Sequence, residues 1–433
     1  MINITIMKNK NRIIVIFSAL ALLISSCTKQ ESENKVKDMN IKLSWGMITN
    51  MLEGESSCRA VFTIQNNANQ TLGNSGWAIY YSQSPREITN APNTKAIVKH
   101  ISGDWFKIIP EQGFSLATEE KLVVHYDLSH YLINETDAPL YPYIVRYDEN
   151  GNETSIEKIS DYTVFPFEKP EQINRGSNDV VPIPTPANRY QNNQGLSLLA
   201  DNTLHKIIPT PVHVNPEDGN LNITNALKIY YSSELKSEAI YIREMLQNIT
   251  GTKFLILEKD YKNGKAIVLN SKPLNINGIS SEAYMLEISS NKGVMITGSD
   301  PTGVFYGIQS LMSLMPLETF QISQNTITVP NIRVEDAPRF PYRGQHLDVC
   351  RNFFAKSTVL KLLDLMAFYK LNHLQLYLSE DEGWRIEIED LPELTAVGAQ
   401  RQHTSKDAAA LHPSYGSGPN SYEKDTHGSG YYS

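Results

Sequence analysis

Five charged residues in this chain could do chemistry together: Asp348 and Arg351, then Glu380, Asp381 and Glu382. An arginine fork can donate to two neighbouring hydroxyls at once, while carboxylates accept from others. That combination suits a polyhydroxylated ligand. Three consecutive acids also repel one another, which raises the pKa of at least one, a condition that general acids exploit. A second description fits the same residues: Asp348 and Arg351 as a structural ion pair, and residues 380–382 as a solvated turn.

The pattern around these residues would bring them together. Residues 342–349 read as a strand. A helix follows, capped by Ser357, with Val359, Leu360, Leu363, Met366, Ala367 and Tyr369 near one face. Residues 373–378 read as a second strand. Strand, helix and strand with both strands buried make a right-handed parallel crossover. This is the opening unit of a (β/α)8 barrel of the TIM type, in which sites form at the carboxyl ends of the strands. Arg343 falls early in the first strand, towards the far rim, and is expected to be structural. Trp384 is expected to pack. From Thr395 onward the chain is polar and glycine-rich, which suits a long site loop. The barrel is expected to be truncated, because residues 337–433 fall well short of the roughly 250 that such a barrel uses. Exposed strand faces, with disorder or aggregation over residues 386–433, are therefore expected.

Upstream, residues 40–170 hold short runs rich in β-branched and aromatic residues, separated by turn signals such as Asn66-Asn67 and Asn150-Gly151. They predict an all-β sandwich. Trp45, Trp77 and Trp105 sit inside apolar runs and are expected in its core rather than on a sugar-stacking surface. Five prolines between 166 and 186 predict an extended linker over residues 171–200. Residues 201–336 alternate strands with two helices, an α+β domain. One helix is expected to stop at Gly251, and the other to start at Asp300-Pro301, an N-cap followed by proline.

The first residues read as a targeting segment. Lys8, Lys10 and Arg12 precede an apolar run over 13–24, then Ser25-Ser26-Cys27. This resembles a bacterial lipoprotein signal, residues 1–27, with lipidation at Cys27. Residues 28–39 would form a polar tether. The expected place is the bacterial cell envelope, lipid-anchored at the outer membrane, periplasmic or surface-exposed, with the membrane engaged by the anchor only. Net charge is −8 over 433 residues with no basic stripe, which argues against nucleic acid as a partner. Cys58 and Cys350 have no metal-ligand spacing, and no motif calls for a cofactor.

Residues 338–385 resemble the opening of the catalytic barrel of glycoside hydrolase family 20, the β-N-acetylhexosaminidases. Arg343-Gly344, Leu347-Asp348-Val349 with Arg351, and the run Leu378-Ser379-Glu380-Asp381-Glu382-Gly383-Trp384-Arg385 match its early motifs in order and spacing. Pro209-Thr210-Pro211 and the stretch from Gly303 to Leu311 resemble that family's α+β domain. Ser44-Trp45 and Gly76-Trp77-Ala78-Ile79-Tyr80 resemble its N-terminal sandwich, often called carbohydrate-binding.

The resemblance implies retaining hydrolysis of terminal N-acetylglucosamine or N-acetylgalactosamine from glycans, with the sugar's own acetamido carbonyl as nucleophile. It implies that Arg351 binds sugar hydroxyls and that Glu380 supports the acid, with Asp348 and Asp381 as further substrate-binding residues supporting the rim. The family more often has aspartate at the position of Glu380, and histidines where this chain has Gln375 and Tyr377. Its catalytic Asp-Glu pair lies beyond the second strand. Here Asp-Glu occurs at Asp148-Glu149, in a sandwich turn, and within residues 380–382. The expectation is a chain that grips sugar but does not cut it. The alternative, from another class, is a non-catalytic surface glycan-binding lipoprotein.

Overall fold

The computed structural model describes residues 40–433 except 53–56, 93–94, 133–134, 177, 181–184, 200–205, 406–408, 425 and 427. Cys27, the signal and the whole tether lie outside the described residues. The chain divides into two compact units, before and after Val181.

The first unit is the expected β-sandwich. Its strands are β1 (Ile41–Thr49), β2 (Cys58–Asn66), β3 (Trp77–Ser82), β4 (Ile88–Asn90), β5 (Ala96–Ser102), β6 (Trp105–Pro110), β7 (Lys121–Leu128), β8 (Leu140–Tyr147), β9 (Glu153–Lys158) and β10 (Asp161–Val164). They form two five-stranded sheets, β10-β1-β2-β7-β4 and β5-β6-β3-β8-β9. Strict alternation in β2 sends Cys58, Ala60, Phe62 and Ile64 inward, as a period of two requires. Trp45, Trp77 and Trp105 are 0%, 4% and 3% exposed, so none offers a face for sugar stacking. Each indole N–H finds an acceptor inside the protein: Tyr126 Oη, the Gly73 carbonyl and Tyr143 Oη.

The linker expectation needs correction. A short helix, α1 (Pro170–Ile173), belongs to the sandwich: Gln172 Nε2 donates to the Met47 carbonyl at 2.6 Å, and Ile173 packs on the core. A second, α2 (Pro186–Asn192), is capped by the Thr185 side chain. Proline fits the first helical position, where no N–H partner is needed, so proline spacing alone did not mean extended chain.

The second unit begins with a seven-stranded mixed sheet in the order β11 (His213–Ile223), β17 (Ile327–Asp336), β15 (Tyr284–Ser289), β16 (Gly293–Gly298), β14 (Ala266–Ser271), β12 (Ile229–Tyr231), β13 (Ile256–Glu258). Helices α3 (Lys236–Thr250) and α4 (Pro301–Ser313) pack on it through Ala239, Ile242 and Leu246 and through Val304, Ile308 and Leu311. Gly251 ends α3 at φ 67°, in the left-handed region that favours glycine. Asp300 caps α4 by accepting from the Gly303 N–H at 2.9 Å, with Pro301 beside it.

Then come β18 (Gly344–Asp348), α5 (Lys356–Phe368) and β19 (His373–Tyr377). The two strands pair in parallel from Gly344↔His373 to Asp348↔Tyr377. Ser357 is not the cap: Ala355 holds that position with no side-chain acceptor, and Ser357 lies in the first turn. The buried stripe of α5 also differs from the expected one. Met366 is buried, and Val359, Leu362, Ala367 and Phe368 are half-buried, so Val359, Met366 and Ala367 face in as expected. Leu360, Leu363 and Tyr369 face out. The helix carries leucine on several faces, so periodicity could not choose among them.

Among the described residues, strand pairing in this part is limited to β18–β19 and a two-residue hairpin, β20 (Ser379–Glu380) with β21 (Gly383–Trp384). Of the expected barrel the described residues hold one parallel strand–helix–strand unit. Exposed apolar side chains are present, Tyr342, Leu365 and Ile386 among them. The described part of 386–433 is not disordered, however. It holds α6 (Glu393–Ala396) and isolated bridges Ile386↔Tyr432 and Arg401↔Leu411, with Ala399, Ala410, Ser417 and Tyr422 buried.

Candidate functional site

The chain turns sharply after β18, and Asp348 makes that turn. Its Oδ1 accepts from the backbone N–H groups of Cys350 (2.9 Å) and Arg351 (3.1 Å). Its Oδ2 takes a short charge-assisted bond from Arg351 Nη1. The second arm of the same guanidinium, Nη2, lies 3.4 Å from Glu380 Oε2 in β20, just beyond the end of β19. Parallel pairing puts both strand ends on one rim, so Asp348, Arg351 and Glu380 meet as expected. Both descriptions of these residues hold in part: Asp348 and Arg351 are an ion pair, and that pair holds the arginine at a strand-end site. The Arg351 guanidinium also sits 5.9 Å from the Tyr377 ring centroid.

Exposure separates the roles. The Arg351 side chain is 55% exposed and the Glu380 side chain 9%. Arginine thus presents donors to solvent while glutamate sits beneath. Burial pushes the Glu380 carboxyl above its ordinary range, the Glu382 and Asp381 charges add to this, and Arg351 opposes it. Glu380 Oε1 accepts from the Glu382 N–H at 3.1 Å. Asp381 is exposed at the tip of the turn. Asp348 is committed to its own turn and to Arg351, so its contribution to a ligand runs through the arginine.

The residue that sequence reasoning passed over is Arg385. It is fully buried, and every one of its five N–H donors meets a backbone carbonyl. Nε reaches Val349 (2.9 Å), Nη1 reaches Ala399 (3.2 Å) and Gly430 (3.0 Å), and Nη2 reaches Cys350 (2.5 Å) and Gly428 (2.7 Å). It ties the turn that carries Arg351 to the loop that follows. Gly383 makes room, since a Cβ there would lie 2.8 Å from both the guanidinium and the Cys350 carbonyl. Arg401 does similar work nearby, donating to the carbonyls of Glu382 and His412. Trp384 is half-buried and donates from its indole to Ile386 O, a packing role as expected. Cys350 is buried, with its thiol 3.0 Å from the Tyr377 carbonyl, and burial pushes it up to about 11. Among the described residues, no group of three or more His, Cys, Asp and Glu side chains is placed to hold a metal ion.

Arg343 lies at the opposite, amino end of β18. It donates to Glu282 Oε2 (2.6 Å), Tyr306 Oη (2.8 Å) and the carbonyls of Lys370 and Phe340. It takes no part in the rim.

Three family models match the chain in series. They are a carbohydrate binding domain over residues 36–187, glycosyl hydrolase family 20 domain 2 over 204–337, and the glycosyl hydrolase family 20 catalytic domain over 340–433. A β-hexosaminidase of Vibrio vulnificus is 31% identical over 411 residues, covering 92% of this chain and 45% of the relative. The N,N'-diacetylchitobiase of Vibrio harveyi is 30% identical over 436 residues, covering 96% and 47%. The chain thus spans about half the length of these relatives. The crystal structure of a family 20 exo β-N-acetylglucosaminidase from Vibrio harveyi, in complex with N-acetylglucosamine, shares the fold with a TM-score of 0.65 at 22% identity, over 91% of this chain and 53% of that one. Matched in order from sandwich to strand-end site, this chain belongs to glycosyl hydrolase family 20.

Proposed function

We propose that this chain supplies the sugar-gripping half of a β-N-acetylhexosaminidase. Such an enzyme removes terminal N-acetylglucosamine or N-acetylgalactosamine from glycans with retention, the substrate's acetamido carbonyl acting as nucleophile. One observation carries the reading: the Arg351 guanidinium is braced by Asp348 and Glu380 at the carboxyl ends of a parallel strand pair, with more than half of its side chain open to solvent. A braced, planar donor of this kind can meet two adjacent ring hydroxyls without first losing rotamer freedom. Glu380 beneath it, with its raised carboxyl, supports the acid function and holds Arg351 in place.

The 433 residues alone bind and do not cleave. Asp148 is used within its own turn, accepting from the Asn150 and Asn152 N–H groups. Glu382 lies 4.0 Å from Arg401, and we read neither Asp-Glu sequence as the pair that would protonate a leaving oxygen. The lipid anchor at Cys27 belongs to the same proposal and rests on the small-small-Cys order after an apolar run. Mass spectrometry of the mature amino terminus would find a lipidated cysteine, and an unmodified one would remove the anchor.

The test uses the purified chain. N-acetylglucosamine titrated into it shifts NMR signals of the rim, and Arg351→Gln abolishes the shifts while leaving the spectrum of the fold intact. Equal binding by the variant would sink the sugar-gripping role. Release of an aryl group from an aryl N-acetylglucosaminide by the chain alone would sink the non-cleaving half.

A further inference from the structure

The strand pair that carries the rim has little of its own to fix its register. No residue of β18 or β19 is fully buried, and a pair without a buried face specifies register weakly. Yet a slip of one residue would part Asp348 from Tyr377 and move Arg351 away from Glu380. Something outside the pair must hold it.

The amino ends of the two strands supply the answer. Asn372 stitches them together. Its Oδ1 accepts from the Arg343 N–H (2.9 Å), its Nδ2 donates to the Pro341 carbonyl (2.8 Å), and its own N–H donates to the Arg343 carbonyl (2.9 Å). From this stitch two cations reach into the α+β module. Arg343 meets Glu282 and Tyr306, just before β15 and on α4. Lys370, buried in the turn before β19, donates to Tyr284 Oη on β15 (2.9 Å) and Asp336 Oδ2 on β17 (3.2 Å). Arg343 Nε closes the circuit on the Lys370 carbonyl at 2.7 Å. Both strands are thus referred to one corner of the module, where Glu282 leads into β15, Tyr284 pairs with Asp336 and α4 brings Tyr306. Glu282 and Lys370 hold φ of 56° and 59°, values that non-glycine residues adopt only when their surroundings impose them.

We propose that Arg343 and Lys370 are positioning residues: through them the α+β module sets the register of β18 and β19, and so the contact between Arg351 and Glu380 at the other end. The span is five residues of strand, roughly 16 Å. The claim concerns two side chains of the free chain and stands apart from the glycan reading, so either can fail without the other.

The experiment follows the Glu380 carboxyl by carbon NMR in the full chain, assigned by loss of its signal in Glu380→Gln. Removing the opposing charge with Arg351→Gln raises the Glu380 titration midpoint. In an Arg343→Ala background the same removal produces less than half that rise. Gly251→Ala, which destabilises the same module at a distance from Arg343 and Lys370, keeps the full rise, so loss of stability alone does not imitate the effect. If Arg343→Ala does not fold, Glu282→Gln, which keeps the shape and removes one charge, carries the test. An undiminished rise in whichever of these two variants folds overturns the proposal.

Discussion

At the amino ends of β18 and β19 two cations, Arg343 and Lys370, meet two carboxylates, Glu282 and Asp336. At the carboxyl ends a buried cation, Arg385, donates its hydrogen bonds to carbonyls alone. Pairing with carboxylates neutralises a buried charge and holds two parts of the chain together. Pairing with carbonyls holds loops together just as firmly but leaves the neighbouring acids uncommitted to the anchor. Asp348 and Glu380 therefore meet Arg351, which faces solvent, instead of Arg385, which does not. The amino end consumes its charges in holding, while the carboxyl end keeps the Arg351 charge at the surface.

The largest effect should come from breaking the carbonyl-only anchor. Arg385→Met leaves five acceptors without donors, at about 1–3 kcal/mol each before relaxation. A loss of roughly 4 kcal/mol or more is expected. Protease should then open residues 386–433 while the sandwich resists, and a resistant tail would show that Arg385 is dispensable.

Next comes the charge-paired end. Asp336→Asn strands Lys370 in its buried site and should cost about 3 kcal/mol by urea denaturation. Burial already pulls the Lys370 pKa below its ordinary value, with Asp336 opposing. The variant should pull it lower still, and an unchanged midpoint would erase the contrast between the ends. Gly251→Ala, which touches neither end, should cost only about 1 kcal/mol for its left-handed cap.

Smaller effects belong to the rim. The Glu380 carboxyl binds its proton more readily folded than unfolded, because its folded pKa is raised. Stability should therefore fall as pH rises from the ordinary carboxylate range through that raised value. Glu380→Gln should melt above the parent past that window and match it near about pH 4. A variant melting lower at neutral pH would mean that the Arg351 contact outweighs burial. Arg351→Gln, at a half-exposed pair, should change stability by no more than about 0.5 kcal/mol and yet abolish sugar binding.

How much of this could be read from sequence depended on distance along the chain. The Asp300 cap, the Gly251 stop and the Asp348–Arg351 pair act within four residues, and each was legible from local chemistry. Glu380 joined them because parallel pairing follows from strand–helix–strand. Arg385 was hidden for the opposite reason: its partners are carbonyls 14 to 45 residues away, and a carbonyl has no signature in sequence. Arg343 was read as structural from its place early in the strand, but its partner and the role of Lys370 were hidden because each finds its carboxylate in another module. The stripe of α5 was misjudged because leucines cover several of its faces, and Ser357 because serine caps only when the backbone before it has turned out of the helix. The residues that sequence left unassigned are mostly those that fasten one part of the chain to another.

The Cys350 thiol, buried between the two strand ends, gives the molecule its own reporter. At a pKa of about 11 it is almost wholly protonated at neutral pH and shielded from any alkylating reagent. It can react only when the thiol leaves the Tyr377 carbonyl and reaches solvent, so the rate of its modification measures how often this part of the chain opens. A slow rate in the parent chain and a fast one in Arg385→Met would time, in seconds or hours, the breathing of a site that static distances describe only at rest.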